Sequence, residues 1–146
     1  LSDKDFIRGV ENVIKNTSLQ GRWQILEKRP LTICDTGHNK EGIEYVISQL
    51  KQLKFNRLHI VIGFVSDKDL SGVLPLFPRD AIYYFTKASV QSALSETILK
   101  EKSEKFGLEG ICLPSVTLAL QEARKKADPD DVIFIGGSNF VVAEVL

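Results

Sequence analysis

A short apolar segment is followed at once by several residues that could do chemistry. The stretch ICDTGHNKEG, residues 33–42, places Asp35, His38 and Asn39 directly after apolar residues 31–33. Asn39 is a good helix N-cap and Gly37 would permit a left-handed turn, so part of the stretch could simply form a turn. Asp35 and His38 are more than a turn requires, and they could bind a ligand, ligate a metal or join a Ser-His-Asp set.

Two of these possibilities are weakly supported by the motifs. One acid and one histidine supply two ligands, whereas a zinc site needs three or four, so no metal site is predicted. Ser138 could complete a set with His38 and Asp35, but its context, GGSNF, lacks the second glycine of a G-x-S-x-G elbow. The sequence also has no G-x-x-x-x-G-K-[ST] loop and no G-x-G-x-x-G after a strand. If the chain handles a nucleotide, it therefore shares that task.

The elements that would position these residues alternate between strand and helix patterns, which predicts a parallel sheet covered on both faces. The predicted strands are residues 31–34, 58–62, 81–85, 110–113 and 132–135. An earlier alternating segment, residues 22–27, predicts an edge strand with Trp23 and Ile25 on one face. Arg22 and Gln24 would then lie on its wetter face.

Capping residues predict where the helices begin and end. Asn39 and Ser115 are expected to cap helices, and Gly107 is expected to end a helix over residues 96–106. Residues 66–69 are interpreted as a capped helix start. Near the first residue, Ser2 is expected to cap a helix with apolar positions at Phe6, Ile7, Val10, Val13 and Ile14.

Most polar residues of interest follow the predicted strands. Ligands of open parallel α/β sheets bind outside the carboxyl ends of the strands, near helix N-termini that attract anions. The candidate turns are residues 35–39, 63–69, 86–89 and 136–139. His59 lies inside a predicted strand, and we expect it to be structural.

Length and composition restrict the class of protein. The 146 residues suit one domain, and 19 basic against 19 acidic residues provide no field toward nucleic acid or an anionic membrane. Cys34 and Cys112 lie in apolar runs without CxxC spacing, which fits the reducing cytosol. Neither a signal peptide nor an 18-residue apolar run is present. The chain begins with leucine and has no methionine, which suggests a fragment or an excised domain.

Four motifs in order resemble the C-terminal domain of folylpolyglutamate and dihydrofolate synthases, in the Mur ligase superfamily. LTICDTGHNKEG resembles D-x-x-H-N-P-x-G, GRWQIL resembles G-R-x-x-x-x, and VIGFVSDKDL resembles G-x-x-x-D-K-D. VIFIGGSNFVVAEVL is similar to the closing strand, Gly-Ser turn and helix. The resemblance covers about residues 19–146, and residues 1–18 would end a preceding domain and form a linker helix. It implies a Rossmann-like, three-layer α/β domain with about six strands, mostly parallel, and one antiparallel edge strand.

The resemblance implies a lid domain of an ATP-dependent ligase that adds L-glutamate to a folate or to dihydropteroate through an acyl phosphate. An upstream domain would carry the P-loop and most of the Mg²⁺ ligands. By position, Arg22 and Asp35 would bind ATP, whereas His38 and Ser138 would lie on the glutamate side, with His38 at the catalytic centre. Ser92 stands where many folate-branch members carry an arginine, which bears on glutamate binding.

Two other functions stay open on the residues. One is a Mur-type cell-wall amino-acid ligase domain, and the other is a non-catalytic module that binds a nucleotide or small anion. The DKD motif and the Gly-Ser ending favour the folate branch. Lys40 replaces the proline that usually follows His-Asn, and this change leaves the helix cap intact.

Overall fold

One six-stranded sheet organises the chain. The computed structural model describes residues 21–146, so the helix predicted to follow Ser2 lies outside the described part. The strand order is β1-β2-β6-β3-β4-β5, and only β1 and β2 pair antiparallel. The predicted mostly parallel α/β sheet with an antiparallel edge strand is therefore confirmed. The strands are β1 (Gln24–Lys28), β2 (Leu31–Asp35), β3 (Leu58–Ile62), β4 (Ile82–Phe85), β5 (Gly110–Cys112) and β6 (Val132–Gly136).

Helices cover both faces of this sheet. Apolar side chains alternate along the strands, so that Ile60 and Ile62 of β3 pack on one face and Val61 on the other. The first face carries α1, two 3-10 helices and α2, and the second face carries α3 and α4. Their bounds are α1 (Lys40–Lys51), the 3-10 helices (Leu70–Gly72 and Leu74–Leu76), α2 (Glu96–Glu104), α3 (Val116–Lys126) and α4 (Asn139–Ala143).

The predicted caps are present. The Asn39 side chain accepts a hydrogen bond from the Gly42 N–H, and Ser115 Oγ accepts one from Leu118 N–H. Gly107, at φ +79°, follows the end of α2 in the left-handed conformation that glycine favours. These local signals fixed the helix ends to within a few residues.

The helix expected after residues 66–69 is wrong. Asp69 does cap, because its carboxylate accepts from the Ser71 N–H at 3.1 Å, but only a three-residue 3-10 turn follows. Gly72 weakens a helix at this point, and Pro75 has no N–H to continue one. The connection from β3 to β4 therefore consists of two short 3-10 turns.

The start of β1 also differs from its prediction. The strand begins at Gln24, so Arg22 and Trp23 lie in the turn that precedes it. Gln24 is buried rather than on a wet face, because its side-chain oxygen accepts the Gly21 N–H at 3.0 Å. A register shift between Ile25 and Glu27 then breaks the simple alternation that the prediction assumed.

His59 is structural, as predicted. It is fully buried in β3, with Nε2 2.8 Å from the Asp131 carboxylate and Nδ1 2.8 Å from the Tyr84 hydroxyl. Burial raises the pKa of Tyr84 to about 12, so the phenol keeps its proton and can donate it to Nδ1. Asp131 also accepts the main-chain N–H groups of Arg57 and Asp128. This network ties the turn before β6 to the middle of the sheet.

Two buried threonines offer a matched test of hydrogen bonding. Thr32 Oγ1 donates to the Pro30 carbonyl at 2.9 Å, whereas Thr86 Oγ1 has no hydrogen-bond partner within residues 21–146. We expect Thr32→Val to lower the free energy of unfolding by about 1 kcal/mol and Thr86→Val to leave it unchanged or raise it. Urea unfolding of both variants measures the difference. Equal losses would show that the Thr86 hydroxyl is satisfied in solution.

No helix within residues 21–146 is long and apolar enough to cross a membrane.

Both cysteines, Cys34 and Cys112, are free thiols. Burial raises the pKa of Cys34 to about 12, so that the thiol stays protonated near neutral pH. We therefore assign Cys34 a packing role rather than a chemical one.

Candidate functional site

The sheet contains a point at which neighbouring connections leave on opposite faces. Strand β6 lies between β2 and β3. The chain leaves β2 and β3 toward the first face but leaves β6 toward α4 on the second face. Diverging connections open a crevice at the carboxyl ends of these strands, which is where open α/β sheets bind ligands.

A cavity of about 180 Å³ occupies this position. We call it the switch-point crevice. It brings together residues from the turns after β2, β3 and β6, and thus unites three of the four candidate turns. Its lining is His38, Val65, Lys68, Gly137, Ser138, Asn139 and Phe140.

His38 and Ser138, both expected on the glutamate side of the site, line the same crevice. The exposed His38 places Nδ1 3.2 Å from the Thr36 carbonyl, a contact that needs a proton on Nδ1 and makes Nε2 the acceptor of the neutral ring. Ser138 is buried, and its Oγ accepts the Val141 N–H at 3.2 Å as the cap of α4. Because that bond uses only the oxygen, the Ser138 hydroxyl proton can still be donated to a ligand.

Asp35 lies deeper than the crevice. Its carboxylate is 3% exposed, with Oδ2 accepting the Trp23 N–H at 2.8 Å and Oδ1 accepting the Gly37 N–H at 2.7 Å. Both oxygens are therefore engaged by the protein main chain. Asp35 joins two turns, residues 21–23 before β1 and residues 35–37 after β2.

Residues 21–23, which we call the entry turn, hold Arg22 beside the carboxyl end of β2. Gly21 has φ +85° and Trp23 has φ +42°, a left-handed conformation that is unusual for a bulky residue. The turn is held by the Asp35 bond to Trp23 and by a Thr36 N–H bond to the Gly21 carbonyl at 2.7 Å. Arg22 between them is exposed. The fold thus maintains a strained turn that presents a guanidinium to solvent.

The predicted left-handed turn at Gly37 is wrong, because its φ is not positive. Space favours glycine there, because a Cβ would lie 3.0 Å from Asp35 Oδ1 and 3.2 Å from the Gly42 carbonyl carbon. The left-handed glycine of the crevice is Gly137, at φ +105°. A Cβ on Gly137 would lie 2.4 Å from the Gly63 carbonyl oxygen. The turns after β6 and β3 therefore meet backbone to backbone.

A hydrogen-bonded Ser-His-Asp set does not form. Asp35 binds two main-chain N–H groups, His38 Nδ1 contacts a main-chain carbonyl, and Ser138 Oγ caps α4. Within residues 21–146, no three His, Cys, Asp or Glu side chains cluster closely enough to hold a metal ion. The carboxyl edge of the sheet instead presents cationic side chains and hydrogen-bond donors, which suit an anionic ligand.

Sequence interpretation gave no individual role to Lys68 and did not include Phe140 among the candidate residues, yet both line the crevice. Lys68 lies in the candidate turn of residues 63–69, but within that turn it is interpreted only as part of a helix start. Phe140 is 44% exposed on the first turn of α4, where an aromatic side chain would more commonly be covered. Ser92 is also close to this edge, since its carbonyl accepts the Ser66 N–H at 2.7 Å.

A larger groove, of about 550 Å³, lies at the opposite edge of the sheet. Its lining includes Lys28, the last residue of the antiparallel β1, and Lys54 and Asp130, which precede β3 and β6. Side chains of the four candidate turns do not contribute to it. Because the polar motifs gather at the carboxyl edge, we place the functional site in the switch-point crevice and not in this groove.

The amino-acid sequence identifies the family of this chain. Residues 21–139 match the family described as Mur ligase, glutamate ligase domain. The chain belongs to this family. The Mur ligase domain accounts for nearly all of the described residues, from the entry turn to the start of α4.

Curated relatives of this Mur ligase domain are folate enzymes. A probable bifunctional folylpolyglutamate synthase/dihydropteroate synthase of Haloferax volcanii is 31% identical over 90% of this chain. A dihydrofolate synthase/folylpolyglutamate synthase of Escherichia coli is 31% identical over 94% of it. The chain spans only 16% of the first relative and 32% of the second.

Solved structures agree with these relatives. E. coli FolC in complex with DHPP and ADP is 29% identical, with a TM-score of 0.78 over 92% of this chain and 33% of that one. A bifunctional folylpolyglutamate synthase/dihydrofolate synthase from Yersinia pestis, complexed with AMPPNP and Mn, is 27% identical. Its TM-score is 0.77 over 99% of this chain and 34% of that one. The Rossmann-like fold is shared throughout.

Proposed function

We propose that this chain is the C-terminal domain of an ATP-dependent ligase that adds L-glutamate to a folate or to dihydropteroate in the cytoplasm. The observation that carries the proposal is the switch-point crevice, where His38, Lys68 and Ser138 meet at the edge of the sheet that also holds the turn of the exposed Arg22. The membership of the family and the folate-enzyme names of its relatives support the same substrate class. In this reaction the folate carboxylate takes the terminal phosphoryl group of ATP, and the glutamate amine then displaces phosphate from the acyl phosphate.

The residues present fit part of a nucleotide site. Arg22 would neutralise phosphate charge, since an exposed guanidinium held on a fixed turn is suited to a transferring phosphoryl group. Asp35 would act mainly by holding that turn, and the ribose contact implied by the family resemblance would need the remaining lone pairs of its oxygens. Mg²⁺ and most phosphate contacts would belong to an upstream P-loop domain, as the family resemblance implies.

On the glutamate side, His38 and Ser138 would bind the incoming amino acid. His38 Nε2 can accept a hydrogen bond from the glutamate ammonium group, and the Ser138 hydroxyl can donate to a carboxylate. Lys68 adds a cation to the same wall of the crevice. None of these roles requires a covalent bond to the enzyme.

A ligase assay of the full-length protein tests this proposal. We expect ATP-dependent addition of labelled glutamate to tetrahydrofolate or dihydropteroate, and none to UDP-linked cell-wall precursors. Addition to the UDP-linked precursors instead would assign the chain to the cell-wall branch. Nucleotide binding without turnover of either acceptor would favour a non-catalytic binding module.

A further inference from the structure

A second cavity adjoins the switch-point crevice on the first face of the sheet. It has a volume of about 230 Å³ and lies between the 3-10 segment after β3 and the last turn of α2. Lys68 lines both cavities, so a ligand that left the crevice past Lys68 would enter this one. We call it the lysine groove, and its principal lining residues are Lys68, Asp69, Leu70, Lys102, Lys105 and Phe106.

The charge of the lysine groove favours an acidic ligand. Lys68, Lys102 and Lys105 face a single carboxylate, Asp69. Asp69 Oδ1 is already engaged by the Ser71 hydroxyl at 2.6 Å and the Ser71 N–H, whereas the lysines form no ion pair with any residue from 21 to 146. Three ammonium groups are thus available to a ligand.

The shape and the apolar lining of the groove limit which acidic ligands would fit it. Leu70 is buried and Phe106 is half-buried, so the groove alternates cations with apolar surface. The groove extends from Lys68, which it shares with the crevice, to Lys105 and Phe106 just beyond the last turn of α2. A ligand that fills the groove would be an extended chain with carboxylates separated by methylene groups.

From these observations we propose that the lysine groove binds the γ-linked polyglutamate tail of the folate that the enzyme elongates. A γ-linked glutamate advances the chain by about 6 Å, because five backbone bonds replace the three of an α-linked residue. Each tail residue would present one α-carboxylate to the lysines that line the groove. The inference rests on the proposed function, since only a glutamate ligase would make such a chain.

The test compares acceptors of different tail length in the full-length protein. For Lys102→Gln/Lys105→Gln we expect the KM for a tetraglutamate folate to rise about 3- to 10-fold, as loss of two exposed ion pairs would cause. The KM for the monoglutamate and the kcat for both acceptors should not change. Lys51→Gln/Lys125→Gln is the control, because these exposed lysines in the last turns of α1 and α3 change the net charge equally.

A KM increase that is independent of tail length, or that the control reproduces, would overturn the inference. Calorimetric titration of full-length protein with γ-linked tetraglutamate at low salt provides a second readout. Binding that the Lys102→Gln/Lys105→Gln variant loses supports the groove, and binding of equal strength in both proteins refutes it. If the wild type elongates no folate, the proposed function fails, and this titration alone then decides whether the groove binds γ-linked glutamate.

Discussion

Replacing Asp35 by alanine in the full-length protein is expected to lower the kcat/KM of ligation by about 100-fold or more, because misplacing a reacting group by 1 Å has an effect of that size. Without the carboxylate, the entry turn loses the bond from Trp23 N–H that holds its left-handed conformation. Arg22 would then no longer be fixed beside the end of β2. The Trp23 and Gly37 N–H groups also lose their acceptor, at about 1–3 kcal/mol for each buried donor.

Variants of Arg22 separate the role in activity from the role in stability. Arg22→Ala should reduce kcat/KM by a similar factor but change the free energy of unfolding by less than about 0.5 kcal/mol, since the residue is exposed. Arg29→Ala serves as the control, because Arg29 is an exposed arginine at the opposite edge of the sheet. Ligase kinetics and urea unfolding are measured for each variant. An Asp35→Ala protein that is less stable but fully active would rule out a positioning role for Asp35.

Replacing Asp131 by alanine is expected to lower the free energy of unfolding by about 3–5 kcal/mol, the usual result of breaking one partner of a buried polar network. His59 Nε2, Asp128 N–H and Arg57 N–H all lose their acceptor in this variant. His59 and Asp131 are both almost inaccessible to water, so solvent cannot replace the bonds. Asp130→Ala is the control. The Asp130 side chain is 72% exposed, so this replacement should change the free energy of unfolding very little.

The same network gives stability a dependence on pH. Burial alone would raise the pKa of Asp131, but hydrogen bonds from His59, Asp128 and Arg57 outweigh it and hold this pKa below its usual range. The contribution of Asp131 is therefore complete above the unfolded-state pKa of about 3.9 and is lost as pH falls through the lowered folded-state pKa. Urea unfolding above and below this range should show a flatter dependence for Asp131→Asn than for the wild type. Identical curves would contradict the assignment.

Most of the fold could be predicted because its signals are local. The β-branched run of β3 and the caps at Asn39 and Ser115 act within a few residues of where they lie. The failures have equally physical causes. Gln24 is buried through a bond to Gly21, and the helix expected after Asp69 is stopped by Gly72 and Pro75.

The candidate site was predicted less completely, because side-chain direction depends on tertiary contacts. The order of the motifs placed His38 and Ser138 at one edge of the sheet, and the crevice does join them. The depth of Asp35 could not be foreseen, since it depends on two main-chain donors, one of them twelve residues earlier at Trp23. Lys68 was within a candidate turn, but its place beside Ser138 depends on β3 and β6 being neighbours, which local signals do not give.

The contact between Gly137 and Gly63 has a consequence for how this domain can diversify. A Cβ on Gly63 would likewise lie 2.7 Å from the Thr86 carbonyl oxygen, so the main chains of the turns after β3, β4 and β6 approach one another closely. At Gly137, the one of these residues that lines the crevice, the floor is thus a peptide group, whose polarity is the same whatever residues surround it. Evolution of a new acceptor preference would have to act on the rim, through positions such as His38, Lys68 and Phe140, while the floor stays constant.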